Sequence, residues 1–146
     1  MPKKIKIKRN ELWNLDSTLA DIIHQYLVAF KNEEGRMGIL YSHEFEKEDF
    51  DPGEEYSNDT DWFLDELIWT FKVISEGGVD SIKEIDKLIM EIYGKEDAMV
   101  IGEGGVVSFN IDEEKNKELR ALQQLHQDRV NKNLAMFAKY FEGLWD

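Results

Sequence analysis

Cysteine is absent from the 146-residue chain, which excludes disulfides, thiolate zinc sites and cysteine nucleophiles. No apolar run approaches membrane-spanning length, and the basic stretch Met1–Arg9 is followed by no continuous apolar segment, so neither a membrane anchor nor a signal peptide is expected. Positive charge is scarce: 18 Lys and Arg face 31 Asp and Glu, a formal charge of -13 that repels nucleic-acid phosphates and anionic membrane surfaces. Direct DNA binding through a generic positive face is therefore not expected. Histidine, the side chain best suited to proton transfer near neutrality, occurs only at His24, His43 and His126, on separate predicted elements. Ser17 and Ser108 lie in no nucleophile elbow. Gly102-Glu103-Gly104-Gly105 lacks the lysine and hydroxyl of a phosphate-binding loop, and Asp49-Phe50-Asp51-Pro52-Gly53 lacks the alternating ligands of an EF-hand.

What the chain does have is amphipathic periodicity. At this length, with hydrophobic residues at 42%, residues 1–146 are expected to form a single acidic domain. Its fold class is read as mainly α, a small helical bundle with a minor short β element. The organising stretch is Asp59–Lys72, where Leu64, Leu67, Ile68, Phe71 and then Ile74 recur at three- and four-residue steps and so line one helix face. Trp62 and Trp69, seven positions apart, stand on nearly the same face as each other, with Trp69 the stronger core candidate.

An earlier helix is predicted to run to about Lys31, capped by Asp16 or by Thr18 in a box with Asp21. Its core-facing band would be Leu19, Ile22, Ile23, Tyr26, Leu27 and Phe30, with Trp13 and Leu15 closing the entrance. A third helix is predicted over Ser81–Tyr93, capped by Ser81 with Glu84 and stopped by Gly94. A last helix should begin near Asn110–Asp112 and run to about Gly143, with Leu119, Leu122, His126, Val130, Leu134, Phe137, Phe141 and Leu144 along one side. A seam that long is also compatible with pairing between subunits. Ala98–Ile101 and Val106–Ile111 read as a hairpin, and Lys4-Ile5-Lys6-Ile7-Lys8 alternates like an edge strand that either hairpin strand might take as a neighbour. Residues 38–57 form an acidic loop that would prefer solvent.

Three groups of side chains are candidate sites. Trp13, Tyr26, Trp62, Trp69, His126, Tyr140 and Trp145 could build a pocket for a planar ligand or partner, although such residues more often build the core of a domain this small. Asp61 and Asp65, one helical turn apart, could join Asp16 or Asp21 to place oxygen ligands around magnesium or manganese. The corresponding bland reading is a solvated helix face, with no cofactor. His24 and His126 sit at the edge of, or within, apolar bands, where a boundary or core role is the simpler reading.

Three blocks together resemble an uncharacterised family of small proteins encoded by tailed bacteriophages. They are Trp13-Asn14-Leu15-Asp16-Ser17-Thr18-Leu19-Ala20, then Trp62-Phe63-Leu64-Asp65-Glu66-Leu67-Ile68-Trp69-Thr70-Phe71, and Leu134-Ala135-Met136-Phe137-Ala138-Lys139-Tyr140-Phe141-Glu142-Gly143-Leu144-Trp145-Asp146. The blocks keep the family's order. This chain carries Ser17 where the pattern commonly has histidine and Ala135 where it often has glycine, and residues 79–105 look like an embellishment outside the blocks. The resemblance implies a phage product in the cytoplasm of an infected bacterial host and supplies no catalytic residues. The leading expectation is a non-catalytic accessory protein that assembles as a homo-oligomer and binds or sequesters a host component, a host protein or small ligand. The alternatives are a divalent-metal-dependent phosphoester hydrolase and a minor virion or assembly protein.

Overall fold

The computed structural model describes residues 2–33, 59–94, 99–109 and 111–144. The acidic loop at 38–57, His43 and Trp145 lie outside the described residues. Helix α1 spans Leu15–Asn32, α2 Asp59–Ser75, α3 Lys83–Tyr93 and α4 Glu113–Tyr140, and strands β1, Met99–Ile101, and β2, Val107–Phe109, form a hairpin. The chain is thus mainly α with a minor antiparallel element. Among the described residues no helix is long and apolar enough to cross a membrane.

Two compact units emerge where one core was expected: residues 1–76 with 131–146, and residues 77–130. The expected embellishment at 79–105 falls inside the second. Helix α4 supplies residues to both.

In the first unit the predicted band on α2 is the centre of the core. Phe63, Leu64 and Leu67 are fully buried and Phe71 nearly so, joined by Ala20 and Leu27 of α1 and by Met136 and Tyr140 of α4, with Ile68 and Ile74 packed at the margin. Burying each such large side chain stabilises the fold by about 1.5–3 kcal/mol. The rings interlock edge to face: Phe63 on Tyr140 at 5.8 Å between centroids and Phe71 on Phe137 at 4.9 Å. Helix α2 ends at Gly77 and Gly78, whose φ values of 114° and 98° are open to glycine and strained for any other residue.

The second unit gathers Ile85, Leu88 and Ile92 of α3 against Leu119 of α4, with Ile82, Ile89, Ile111 and Leu122 at the margin. Gly94 closes α3 by donating its N–H to the Met90 carbonyl at 2.9 Å. A β-carbon added there would meet that oxygen at 2.5 Å, so the stop is specific for glycine. Asp112 caps α4, its carboxylate accepting from the N–H groups of Glu114 and Lys115.

Several local expectations are corrected. Residues 2–8 form no strand, and Ile5 is 71% exposed; among the described residues the sheet consists of β1 and β2 alone. Helix α1 starts at Leu15 rather than after Asp16 or Thr18, because the 3₁₀ turn Arg9–Leu12 brings the Glu11 carbonyl to the Thr18 hydroxyl, which donates to it at 3.1 Å instead of capping. Ser81 likewise donates to the Gly78 carbonyl within its own turn, and α3 begins at Lys83.

Candidate functional site

Helix α1 carries an apolar arc wider than the fold covers. Ala20 and Leu27 are buried, and Ile23 and Phe30 are packed at the edge of the core. Leu15, Leu19, Ile22 and Tyr26, stepping by four, three and four, are exposed. That spacing is the seam a helix presents to another helix. The sequence-based band for α1 was therefore right in composition but set too far round: Leu19, Ile22 and Tyr26 face outward because α2 and the end of α4 cover only the side bearing Ala20 and Leu27. Trp13 does not close the helix entrance either; it is 83% exposed.

Beside this stripe lies an open groove of about 310 Å³ lined by Ile22, Ile23, Tyr26, Leu27, Phe30, Phe137, Phe141 and Leu144. Every lining side chain is apolar except for the Tyr26 hydroxyl. Phe137 and Phe141 stack edge to face at 5.4 Å between centroids, and Phe141 remains 59% exposed, so one wall of the groove is an aromatic pair presented to solvent. Contiguous exposed apolar surface of this kind marks interaction sites on otherwise polar proteins.

A charged side chain meets the groove wall at Tyr26. Lys3 donates to the Tyr26 hydroxyl oxygen at 2.9 Å, and its ammonium is 5.7 Å from the ring centroid. The oxygen therefore lies between nitrogen and ring, making this a charge-assisted hydrogen bond rather than a cation over the ring face. The hydrogen bond from Lys3, followed by its charge, lowers the Tyr26 pKa below the ordinary phenol value, and the same contact raises that of Lys3.

The other candidates are dispersed. Trp62, at 9% exposure, is the buried tryptophan, and Trp69, the stronger core candidate from sequence, is only half-buried. Tyr140 is buried against Phe63, with Lys139 near its ring. Trp62 and Tyr140 belong to the core, and neither they nor Trp69 line the groove. His126 is in the second unit, where its Nε2 meets the Glu84 carboxylate at 2.6 Å. Its position on α4 is partly covered, in keeping with a satisfied boundary histidine.

The carboxylates proposed as metal ligands are not gathered. Asp16 and Asp21 are exposed on α1, Asp21 accepting from Gln25, and Asp65 is paired with Lys31 across α1 and α2. Among the described residues no three His, Cys, Asp or Glu side chains converge on a point that could hold a metal ion.

One polar cluster escaped sequence reasoning. Asn133, buried on α4, donates from Nδ2 to the Glu66 carboxylate at 2.8 Å and to the Thr70 hydroxyl oxygen at 2.9 Å, while Thr70 donates to the Glu66 carbonyl at 2.8 Å. Its only trace in the sequence is a polar residue on the seam that continues through Met136, Phe137 and Tyr140. These bonds tie α4 to α2 inside the core, so the cluster orders the scaffold of the first unit.

Comparison with known protein families, with curated proteins and with solved structures finds no match for this chain.

Proposed function

We propose that this chain is a non-catalytic binding protein, a phage accessory factor working in the cytoplasm of an infected bacterium, which receives an apolar helix of a host protein on the outer face of α1 and in the adjoining groove. The observation that carries this reading is the uncovered half of the α1 arc, Leu15, Leu19, Ile22 and Tyr26, next to a groove lined by apolar side chains. Helix-in-groove recognition uses that pattern: side chains at three- and four-residue spacing on one helix enter an apolar trough on another surface. The resemblance of the three sequence blocks to phage-encoded proteins supports the biological setting. Nothing in the groove is built for bond making, since its single polar atom is a phenol oxygen already engaged by Lys3.

The test places a photo-crosslinking amino acid at Ile22 and, as control, at Lys87, which is exposed on α3. Both variants are expressed in infected cells. A host-protein adduct from Ile22, absent from Lys87 and lost in a Leu19→Glu background, is the expected result. An adduct of twice the chain mass would assign the face to self-association instead. Equal adducts from both positions would remove the argument.

A further inference from the structure

The docking reading leaves the charge of the partner open, and the chain's overall charge suggests a basic one. The local arrangement suggests the opposite. Residues 1–9 contain five basic side chains, Lys3, Lys4, Lys6, Lys8 and Arg9, and no acidic one, on a chain of formal charge -13. This arm leads into the 3₁₀ turn at Arg9–Leu12, from which α1 starts, and Lys3 lies against Tyr26, on the third turn of α1. The arm therefore returns along α1 to the rim of the groove. Lys4, Lys6 and Lys8 are exposed along it.

The acidic groups near this edge are partly committed. The Glu11 carboxylate accepts from the Lys8 backbone N–H at 3.0 Å, and Asp21 accepts from Gln25 at 3.0 Å. Asp16 is exposed at the start of α1. Among the described residues, Lys3 is hydrogen-bonded to a phenol and to no carboxylate.

We infer that the helix received by α1 and the groove carries an acidic side chain beside its apolar stripe, and that Lys3, held at the rim by Tyr26, is the residue that pairs with it. This rests on the docking reading above and adds the chemistry of the occupant. Lys3 would keep its hydrogen bond to the phenol oxygen while donating a second one to the incoming carboxylate, since an ammonium has three donors. Tyr26 thus acts as a positioning residue that fixes an otherwise flexible lysine, reducing the conformational freedom lost on pairing.

The experiment uses two fluorescein-labelled synthetic peptides with identical leucines at three- and four-residue steps, one with glutamates on the flank of the stripe and the other with lysines at the same positions. Fluorescence anisotropy against the full chain should show the glutamate peptide binding more tightly by about threefold or more, the range expected for an exposed ion pair. Lys3→Glu should invert the order of the two peptides. Tyr26→Phe, which removes the oxygen but keeps the ring, should narrow the difference between the two peptides. Equal binding of both peptides, or a preference unchanged by Lys3→Glu, would overturn the assignment of Lys3 and leave the docking face standing. Tighter binding of the lysine peptide would show that the chain's overall charge governs the site, also overturning it. Failure of both peptides to bind would remove both readings.

Discussion

The two units are built from similar helices but secure them by different means. In the first, large side chains of three helices enclose Phe63, Leu64 and Leu67, and a buried amide joins α2 to α4. In the second, a thinner cluster of Ile85, Leu88, Ile92 and Leu119 is accompanied by polar pairs nearer the surface: Gln123 to Asp80, Tyr93 to Asn116, His126 to Glu84 and Lys115 to Glu91. Buried contacts retain their strength because little water competes for them, whereas exposed pairs are screened and contribute little each. The first unit is accordingly the better platform for a fixed docking surface. It is also where the uncovered apolar side chains of α1 sit.

The sharpest way to break this comparison is to hollow out each core in turn. Leu67→Ala and Ile85→Ala remove buried side chains of similar size, and each should cost about 2–5 kcal/mol, the range for such truncations. Hydrogen exchange read residue by residue is the measurement. Leu67→Ala is expected to lose protection across α1 and α2, and Ile85→Ala across α3. If either substitution lowers protection uniformly over all four helices, the units unfold together and the contrast between them has no thermodynamic content.

A smaller effect isolates the amide. Replacing Asn133 with alanine leaves Glu66 and Thr70 without the donor that now reaches both, so stability should fall by about 1–3 kcal/mol. Asn133→Leu would restore volume without the donor and should recover little of the loss. A denaturant midpoint for Asn133→Leu equal to that of the unaltered chain would show that the amide serves packing alone.

The same contrast explains what the sequence could disclose. Spacing finds Leu64, Leu67 and Phe71 of α2 as inward residues, but because that helix is covered broadly Trp62, Phe63, Thr70 and Val73, outside the predicted band, are buried as well. On α1 spacing identifies the apolar arc but not which half of it the fold covers; that depends on where α2 and α4 lie. The hairpin was legible from two β-prone runs around a glycine-rich turn, and its register, Met99 opposite Phe109, follows from that turn. The strand expected at Lys4–Lys8 failed because alternation describes a segment's own two faces and says nothing about whether a sheet edge is available. The groove was invisible for a related reason: Tyr26 is far in the chain from Phe137 and Leu144, and their convergence is tertiary. The signal that could have drawn attention to its rim was the concentration of basic side chains in the first nine residues.

The smallest expected effect tests whether that rim is ordered as the buried amide is or loosely held like the exposed pairs of the second unit. Lys3 and Tyr26 are both at the surface, so their contact adds little to folding, but it acts directly on the phenol. A nearby ammonium favours the tyrosinate, so Tyr26 should release its proton at a lower pH than an ordinary tyrosine. The sign for folding follows: a lowered folded-state pKa favours the folded chain above the unfolded phenol value of 10.0 and loses that contribution as pH falls through the folded value. The partner behaves conversely, since the raised Lys3 pKa favours folding below 10.5 and that contribution is lost as pH rises through the folded lysine value. Alkaline titration by near-ultraviolet absorbance, taking the difference between the unaltered chain and Tyr26→Phe, isolates this one phenol among the chain's five tyrosines. Lys3→Ala should move the difference curve to higher pH, and high salt should move the unaltered chain the same way, because the contact is exposed to screening. A curve that ignores both changes would mean that the lysine does not rest on Tyr26 in solution, and the first unit would then present its apolar face with no charged rim.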